Sequence, residues 1–457
     1  MTDLLAPAMF VCLVIVLFAG FPVAFSLAAV AGVFGAIGIA TGDFKTSFLT
    51  NMLFRIQGTF NNDNLLALPL LIFMGMLLER TGIAEDMFVA LNRLFGRLPG
   101  GLAYATVIVG AVLSAITGFV SASVVAVGLI ALPVMLRKGY DPRLATGVVA
   151  ASGTLAQVIP PSLVLIVLAE QMEVSLVEIY RGALLPSMLL VLSYLAYIFI
   201  VTRVAPQRAP PAPRAETESW SGSRMFIATA LAAGLPLAIV FAVLAVIYFG
   251  VATPSEGGAF GVSATLALGL AKRTLTGRNL RQAMDVTGML CSGIIFLLLG
   301  ASFFTLVFRG LDGQAWVESL FGHIPAGSIG FILFVNLAIF LLAFFLDFFE
   351  IAFIVLPLIA PVARLLGIDM VWLTVLLAVN LQTSFMHPPF GIALYNLRSV
   401  APPSIRTSQI YWGAVPFLLL QILMVGILIV APQIVTTTPP TKIDIDKVPI
   451  ILPPPPE

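Results

Sequence analysis

Ser152, Thr154 and Gln157 lead into the pair Pro160 and Pro161 in the stretch SGTLAQVIPPS, and Asn380, Gln382, Thr383 and Ser384 lead into Pro388 and Pro389 in NLQTSFMHPPF. The proline pairs stand 228 residues apart, each inside a run otherwise apolar enough to cross a membrane. Proline removes an amide donor and clashes with the preceding turn, at about 3 kcal/mol or more in a helix interior. It also drives the residue before it out of the α region. A helix must stop at each pair, leaving carbonyls on one half and amides on the other without partners. In hydrocarbon that is tolerated only around a polar cavity or a bound ion. Hydroxyls, amides and freed carbonyls are hard neutral donors, suited to an alkali cation such as Na⁺ rather than to zinc. One proline would read as a kink; a pair with polar residues upstream, recurring in register, reads as half of a site.

Two further stretches carry chemistry. SAITGFVSAS (114 to 123) holds Thr117, Gly118 and Ser121, and FFLDFFE (344 to 350) holds Asp347 and Glu350, which share a helical face. An acid at the bilayer centre costs ~3 kcal/mol on insertion scales. These two therefore serve cation or proton coupling, or sit at a wet tip, or pair with an amide. His387 lies beside the second proline pair, but its counterpart is Ile159 and the chain has only 2 histidines. That argues against a metal site and leaves cavity lining. Arg80 and Arg309 recur 229 residues apart at crossing ends and read as interfacial snorkelling rather than substrate contact. No Arg or Lys falls in the breaks or tips. A carboxylate substrate would be held by half-helix amides, hydroxyls and a bound cation, and a polyol would suit the same groups.

The elements that must position these residues follow from composition. AVILMFWYC residues make up 60% and charged residues 10%, against about 45 to 50% and 25% in soluble domains. The chain is an integral membrane protein. Its apolar runs lack the alternation of barrel strands, so helices must satisfy the backbone and the fold class is all-α. The net charge of +1 gives no argument for nucleic acid. Cys12 and Cys291 are isolated in apolar runs and read as buried free thiols. MTDLLAPAMF lacks a basic n-region, so the N-terminal run is expected to stay in the mature protein. Residues 433–457, proline-rich and polar, read as an extended tail.

Apolar runs near the length of about 20 residues needed for a crossing fall at 4–19, 24–40, 64–80, 142–170, 182–202, 225–249, 257–271, 285–308, 371–396 and 410–432. Basic residues at 93, 97, 137, 138, 143, 203 to 224 and 272 to 281 mark the cytoplasmic side. The stretch 102–136 then has both ends inside and 328–363 both ends outside, so each is expected to be a re-entrant hairpin. Short matches recur in order: GVFG with GAFG and FGRLPGG with FGHIPAG at an offset of 226, and LPVMLRKGYD with APVARLLGID at 228. This is the inverted-repeat plan of secondary transporters, whose discontinuous helices meet at the midplane. The first repeat would be 1–203: scaffold helices 1–82, arm 83–98, hairpin 102–136, broken helix 142–170 and last crossing 182–202. After a linker at 204–224, the second would be 225–432: scaffold helices 225–308, arm 311–325, hairpin 328–363, broken helix 371–396 and last crossing 410–432.

FLDFFEIAFIVLPLIAPVARLLGID, AVNLQTSFMHPPFGIALYNLRSVAP and GVVAASGTLAQVIPPSLVLIVLAE resemble the large membrane subunit, of DctM type, of tripartite ATP-independent periplasmic (TRAP) transporters. The likeness runs from GFPVAFSLAAVAGVFG at residue 20 to YWGAVP near 416. It implies a bacterial inner-membrane importer coupled to Na⁺, with a scaffold and a moving elevator domain. It also implies a separate small four-helix membrane subunit and a periplasmic binding protein that delivers a small organic acid or related solute. By that resemblance Thr117, Gly118, Ser152, Thr154, Asp347, Asn380 and Thr383 are candidate Na⁺ ligands. Ser121, Gln157, Glu350, Gln382, Ser384 and His387 are the candidates for substrate contact. The tip TGFVSAS departs from the Ser-Gly-Ser form of many relatives, and the chain resembles the branch for 2-oxo acids, aromatic acids and polyols. A self-sufficient ion-coupled carboxylate symporter would share the plan. A membrane-embedded enzyme is disfavoured, since no convincing nucleophile or metal set is present.

Overall fold

The computed structural model describes residues 4–211, 223–322, 327–344, 346, 348–389 and 391–436. The chain begins with α1 (Leu5–Phe18), α2 (Val23–Thr41), α3 (Ser47–Phe60), α4 (Asp63–Arg80) and the amphipathic α5 (Ile83–Phe95). Next come α6 (Gly101–Thr117) and α7 (Val120–Arg137), joined by a tight turn. The halves of a broken helix follow, α8 (Pro142–Thr154) and α9 (Leu163–Met172), then the long α10 (Leu176–Val204). The second half runs through α11 (Ser223–Tyr248), α12 (Pro254–Ala271), α13 (Gly277–Gly310) and the short α14 (Gly313–Gly322). It continues with α15 (Gly327–Leu342), α16 (Phe348–Leu365), α17 (Met370–Ser384), α18 (Ile392–Val400) and α19 (Thr407–Val430). Every regular element among the described residues is helical, as backbone in an apolar surrounding requires.

Caps set where the broken helices begin. Asp141 accepts from the amide of Arg143 at 2.7 Å, with Pro142 in the first turn. Its counterpart Asp369 accepts from the amide of Trp372 at 2.8 Å. The chain restarts after the first proline pair because Ser162 caps α9, accepting from the amide of Val164 at 3.2 Å. Such caps satisfy the amides a helix start leaves open. Gly118 closes α6 in the left-handed region, at φ +59, which makes the turn into α7 affordable.

Burial separates two kinds of helix. Every residue from Leu144 to Thr154 in α8 and from Trp372 to Ser384 in α17 is buried. In α3 none is. The broken helices are thus sheathed by protein, α8 by α6, α7 and α19, and α17 by α10, α15 and α19. That is the surrounding in which an interrupted backbone at membrane depth is tolerated.

Several expected boundaries shift. The helix α3 was not expected between the crossings at 24–40 and 64–80; it carries exposed Phe48, Leu53 and Phe54 but no run long enough to register as a crossing. α10 starts at Leu176 and α13 at Gly277, earlier than the apolar runs at 182 and 285, because polar first turns extend each helix beyond its apolar part, capped in α13. Thr276, for one, accepts from the amide of Asn279 at 3.1 Å. The start of the linker is pinned under the α6–α7 pair, where Ala209 and Arg208 carbonyls accept from Gly100 and Asp141 at 3.0 and 2.9 Å. Residues 212–222 of the linker and 437–457 of the tail lie outside the described residues.

Candidate functional site

The centre of the molecule is a polar network between the two breaks. At the end of α8, the Thr154 hydroxyl donates to the Ala151 carbonyl at 2.9 Å. It accepts from Gln382 Nε2 of α17 at 3.3 Å and from Gln421 Nε2 of α19 at 3.3 Å. Gln421 Nε2 also donates to the Tyr194 hydroxyl of α10 at 2.9 Å. Thr154 and Gln382 are 228 residues apart, and Tyr194 and Gln421 are 227. The first spacing equals that of the proline pairs, so matching positions ahead of the two breaks touch one another.

Around this network the break closes on itself. The Ser162 hydroxyl lies 2.7 Å from the Ala156 carbonyl and 2.9 Å from that of Gln157, taking up groups the prolines free. From α6, the Ser114 hydroxyl reaches the Ser152 carbonyl at 3.0 Å. The Ser152 hydroxyl donates back to Val148. The side chains of Gln157, Gln382 and Gln421 are fully buried, yet the oxygen of each, and Gln157 Nε2 as well, makes no hydrogen bond. A buried amide oxygen without a donor costs about 1 to 3 kcal/mol. These oxygens are the atoms of the site with most to gain from a cation or a ligand donor, and their hardness fits Na⁺.

The second break is built against α15. Asn380 Nδ2 donates to the Asn336 carbonyl at 2.8 Å and to Asn336 Oδ1 at 3.1 Å. The His387 ring is stacked on Phe344 at a centroid distance of 4.4 Å and meets Phe340 edge-on at 4.3 Å. Both its nitrogens are buried and without a hydrogen bond. Thr383 donates to the Asn380 carbonyl at 2.6 Å and Ser384 to that of Leu381 at 2.5 Å, so both hydroxyls keep only lone pairs for another partner. After the prolines, the Gly391 amide donates to the His387 carbonyl at 2.7 Å and Ala393 to Phe385 at 3.2 Å.

Among the sequence candidates, Thr154, Gln382 and, through Ser114, Ser152 are thus brought into one connected region. Asn380 and His387 instead pack on α15. Gly118 lies against the start of α9, a Cβ there meeting the Leu163 amide at 3.0 Å. Ser121 is half-buried in the first turn of α7, and Glu350 half-buried in the first turn of α16. Asp347 and the Thr117 side chain lie outside what is described. Beyond Glu350, α16 passes into a π-helical stretch, Ile351–Val355, a distortion often found at functional sites. Sequence reasoning missed Ser114, Ser162, Tyr194, Asn336 and Gln421. No signal in the sequence singles out Tyr194 and Gln421, polar residues inside long apolar runs.

A family model described as tripartite ATP-independent periplasmic transporter, DctM component, matches residues 10–434. The C4-dicarboxylate TRAP transporter large permease protein DctM of Pseudomonas aeruginosa is 28% identical, over 89% of this chain and 93% of its own. The ectoine/5-hydroxyectoine TRAP transporter large permease protein UehC of Ruegeria pomeroyi is 26% identical, over 94% and 97%. Among solved structures, the Alcanivorax borkumensis YdaH transporter superposes with a TM-score of 0.62 at 14% identity, covering 91% of this chain and 98% of that one. That likeness concerns the fold alone. With a family match over nearly its whole length and a buried, doubly broken helical core to go with it, the chain belongs to the DctM components of the tripartite ATP-independent periplasmic transporters, multi-pass proteins of the inner membrane.

Proposed function

We propose that this chain translocates a small organic acid inward by a Na⁺-coupled elevator movement, receiving it from a periplasmic binding protein and working beside a small four-helix membrane subunit. The family makes the coarser statement secure: it is one of substrate-translocating secondary transporters rather than enzymes, and it implies both partners. The observation that carries the finer reading is the bond between Thr154 and Gln382. Two interrupted helices from opposite halves touch at equivalent positions, so one region offers ligands from both repeats.

In this reading Thr117, Gly118, Ser152, Thr154, Asp347, Asn380 and Thr383 hold Na⁺, which supplies a positive charge where the chain has no basic side chain. Ser121, Gln157, Glu350, Gln382, Ser384 and His387 face the substrate. A relative named for a C4-dicarboxylate favours an acid over a polyol. The α7, α8, α9 and α17 assembly would be the moving body, and α5 and α14 the arms that tie it to the scaffold.

The test is uptake into proteoliposomes holding this chain and the small subunit, with Na⁺ varied and the binding protein present or omitted. Uptake is expected only with an inward Na⁺ gradient and the binding protein. Equal uptake without the binding protein would establish the self-sufficient symporter instead.

A further inference from the structure

A second polar region lies away from the breaks, where α3 and α13 meet the end of α9 and the end of α16. Here an open pocket is lined by Arg55, Arg309 and Arg364, by Glu170 and Glu173, and by Ser302 among others. None of the break or tip residues lines it. By the charge pattern of the loops it opens on the outer side.

Its charges do not cancel. Glu173 is already engaged, accepting from Arg364 Nη1 at 2.7 Å, and Arg364 Nη2 donates to the Met172 carbonyl at 2.8 Å. Glu170 is engaged too, accepting from Asn62 Nδ2 at 2.6 Å. Neither Arg55 nor Arg309 takes part in an ion pair among the described residues, unlike Arg364. Arg55, half-buried, instead has Arg309 near it as a like charge and Glu173 as an opposite one. With Glu173 matched by Arg364, the guanidiniums of Arg55 and Arg309 are left with Glu170 as the one other carboxylate of the lining, so three guanidiniums against two carboxylates leave a surplus positive charge.

That surplus selects the ligand. Guanidinium forks match a carboxylate in two-pronged fashion, whereas a neutral polyol gains nothing from the surplus charge. Arg309 also differs here from its counterpart Arg80, which reaches Gln282 Oε1 at 3.4 Å; snorkelling does not account for Arg309 lining a shared pocket. We propose that this pocket is an outer capture site for the carboxylate of a small organic acid, with Arg55 and Arg309 as the groups that hold the anion. It rests on the import reading above and sharpens it, making the substrate an anion that is met first at the seam and only later at the breaks. Because Asn62 and Glu170 bridge the same seam, the site exists only while the α3–α4 turn and α9 stay together.

The site can be probed without knowing the natural substrate. Ser302→Cys, and Thr305→Cys as an independent position on the same wall, are placed in a Cys12→Ser, Cys291→Ala chain reconstituted in nanodiscs. Modification by the negatively charged sulfonatoethyl methanethiosulfonate is compared with that by the positively charged trimethylammonioethyl reagent, each normalised to a free thiol. The anionic reagent is expected to gain at least about tenfold, and the gain to vanish in the double variant Arg55→Gln, Arg309→Gln. Millimolar succinate or benzoate should slow the reaction, and glycerol should not. Equal normalised rates at both positions, or equal protection by glycerol, overturn the proposal. Uptake with the partners separates it from the import reading. Carboxylate protection without any import leaves the pocket standing and removes that reading; import with an unchanged KM in Arg55→Gln, Arg309→Gln removes the pocket as a capture site.

Discussion

At the first proline pair the freed carbonyls of Ala156 and Gln157 are met by a side chain, the Ser162 hydroxyl. At the second, the carbonyls of Phe385 and His387 are met by the backbone amides of Ala393 and Gly391. The residue equivalent to Ser162 is Phe390, which has no hydroxyl to offer. The neighbours differ in the same way. Ser114 touches the first break through a hydroxyl-to-carbonyl bond, while the second leans on an amide pair and two aromatic rings. The two halves therefore share the place where the helix stops without sharing the means of stopping it. A break closed by a side chain is vulnerable to losing a polar atom. One closed by backbone is vulnerable to gaining bulk.

That contrast orders the expected effects of substitution. Gly391→Ala should be the most damaging, since a Cβ there would sit 2.5 Å from the Phe385 oxygen and 3.0 Å from that of His387. Overpacking of this kind costs about 1 to 3 kcal/mol, and uptake should fall by more than about tenfold in protein that still elutes as a single species. Activity within twofold of the parent would mean that the second break does not close through its backbone.

Next comes Asn380→Ala, which removes both hydrogen bonds to Asn336 and leaves the buried Asn336 Oδ1 without that donor. A loss of about 2 kcal/mol is expected in denaturation measured in detergent, and an unchanged midpoint would remove the amide pair from the account of the second break. Ser162→Ala should cost slightly less, about 1 to 2 kcal/mol, because it removes both the cap of α9 and the partner of two carbonyls. If Ser162→Ala proved neutral, the contrast between the breaks would collapse. Tyr194→Phe is expected to be mildest, at about 1 kcal/mol or less, since Gln421 Nε2 keeps its contact with Thr154. A larger loss there would show that the network between the last crossings carries more of the stability than either break.

Much of the site was legible before any coordinates. Thr154 and Gln382 were visible as polar residues ahead of paired prolines, and Asp141 and Asp369 as equivalent starts of the broken helices. Less was legible where a residue's role depends on what packs beside it. Nothing in the neighbourhood of Gln421 or Tyr194 distinguishes them from other polar residues in a long apolar helix. Asn336 looked like a lone amide in the first helix of a hairpin. Arg309 was read as an interfacial anchor, and only its sharing of a pocket with Arg55, on a helix the hydropathy pattern did not reveal, gives it another role.

By itself the sequence determined the solvent, the helical class, the positions of the two interruptions and the repeat relating them. These follow from local facts: apolar length, proline's missing amide and the spacing of matching segments. The tertiary structure decided which polar atoms meet, how each break is closed and where positive charge gathers at the seam. Those outcomes depend on contacts between residues more than 200 positions apart, such as Thr154 with Gln382 and Gln421. The physical reason is that a hydrogen bond or an ion pair is made within about 3 to 4 Å, a distance that only packing sets.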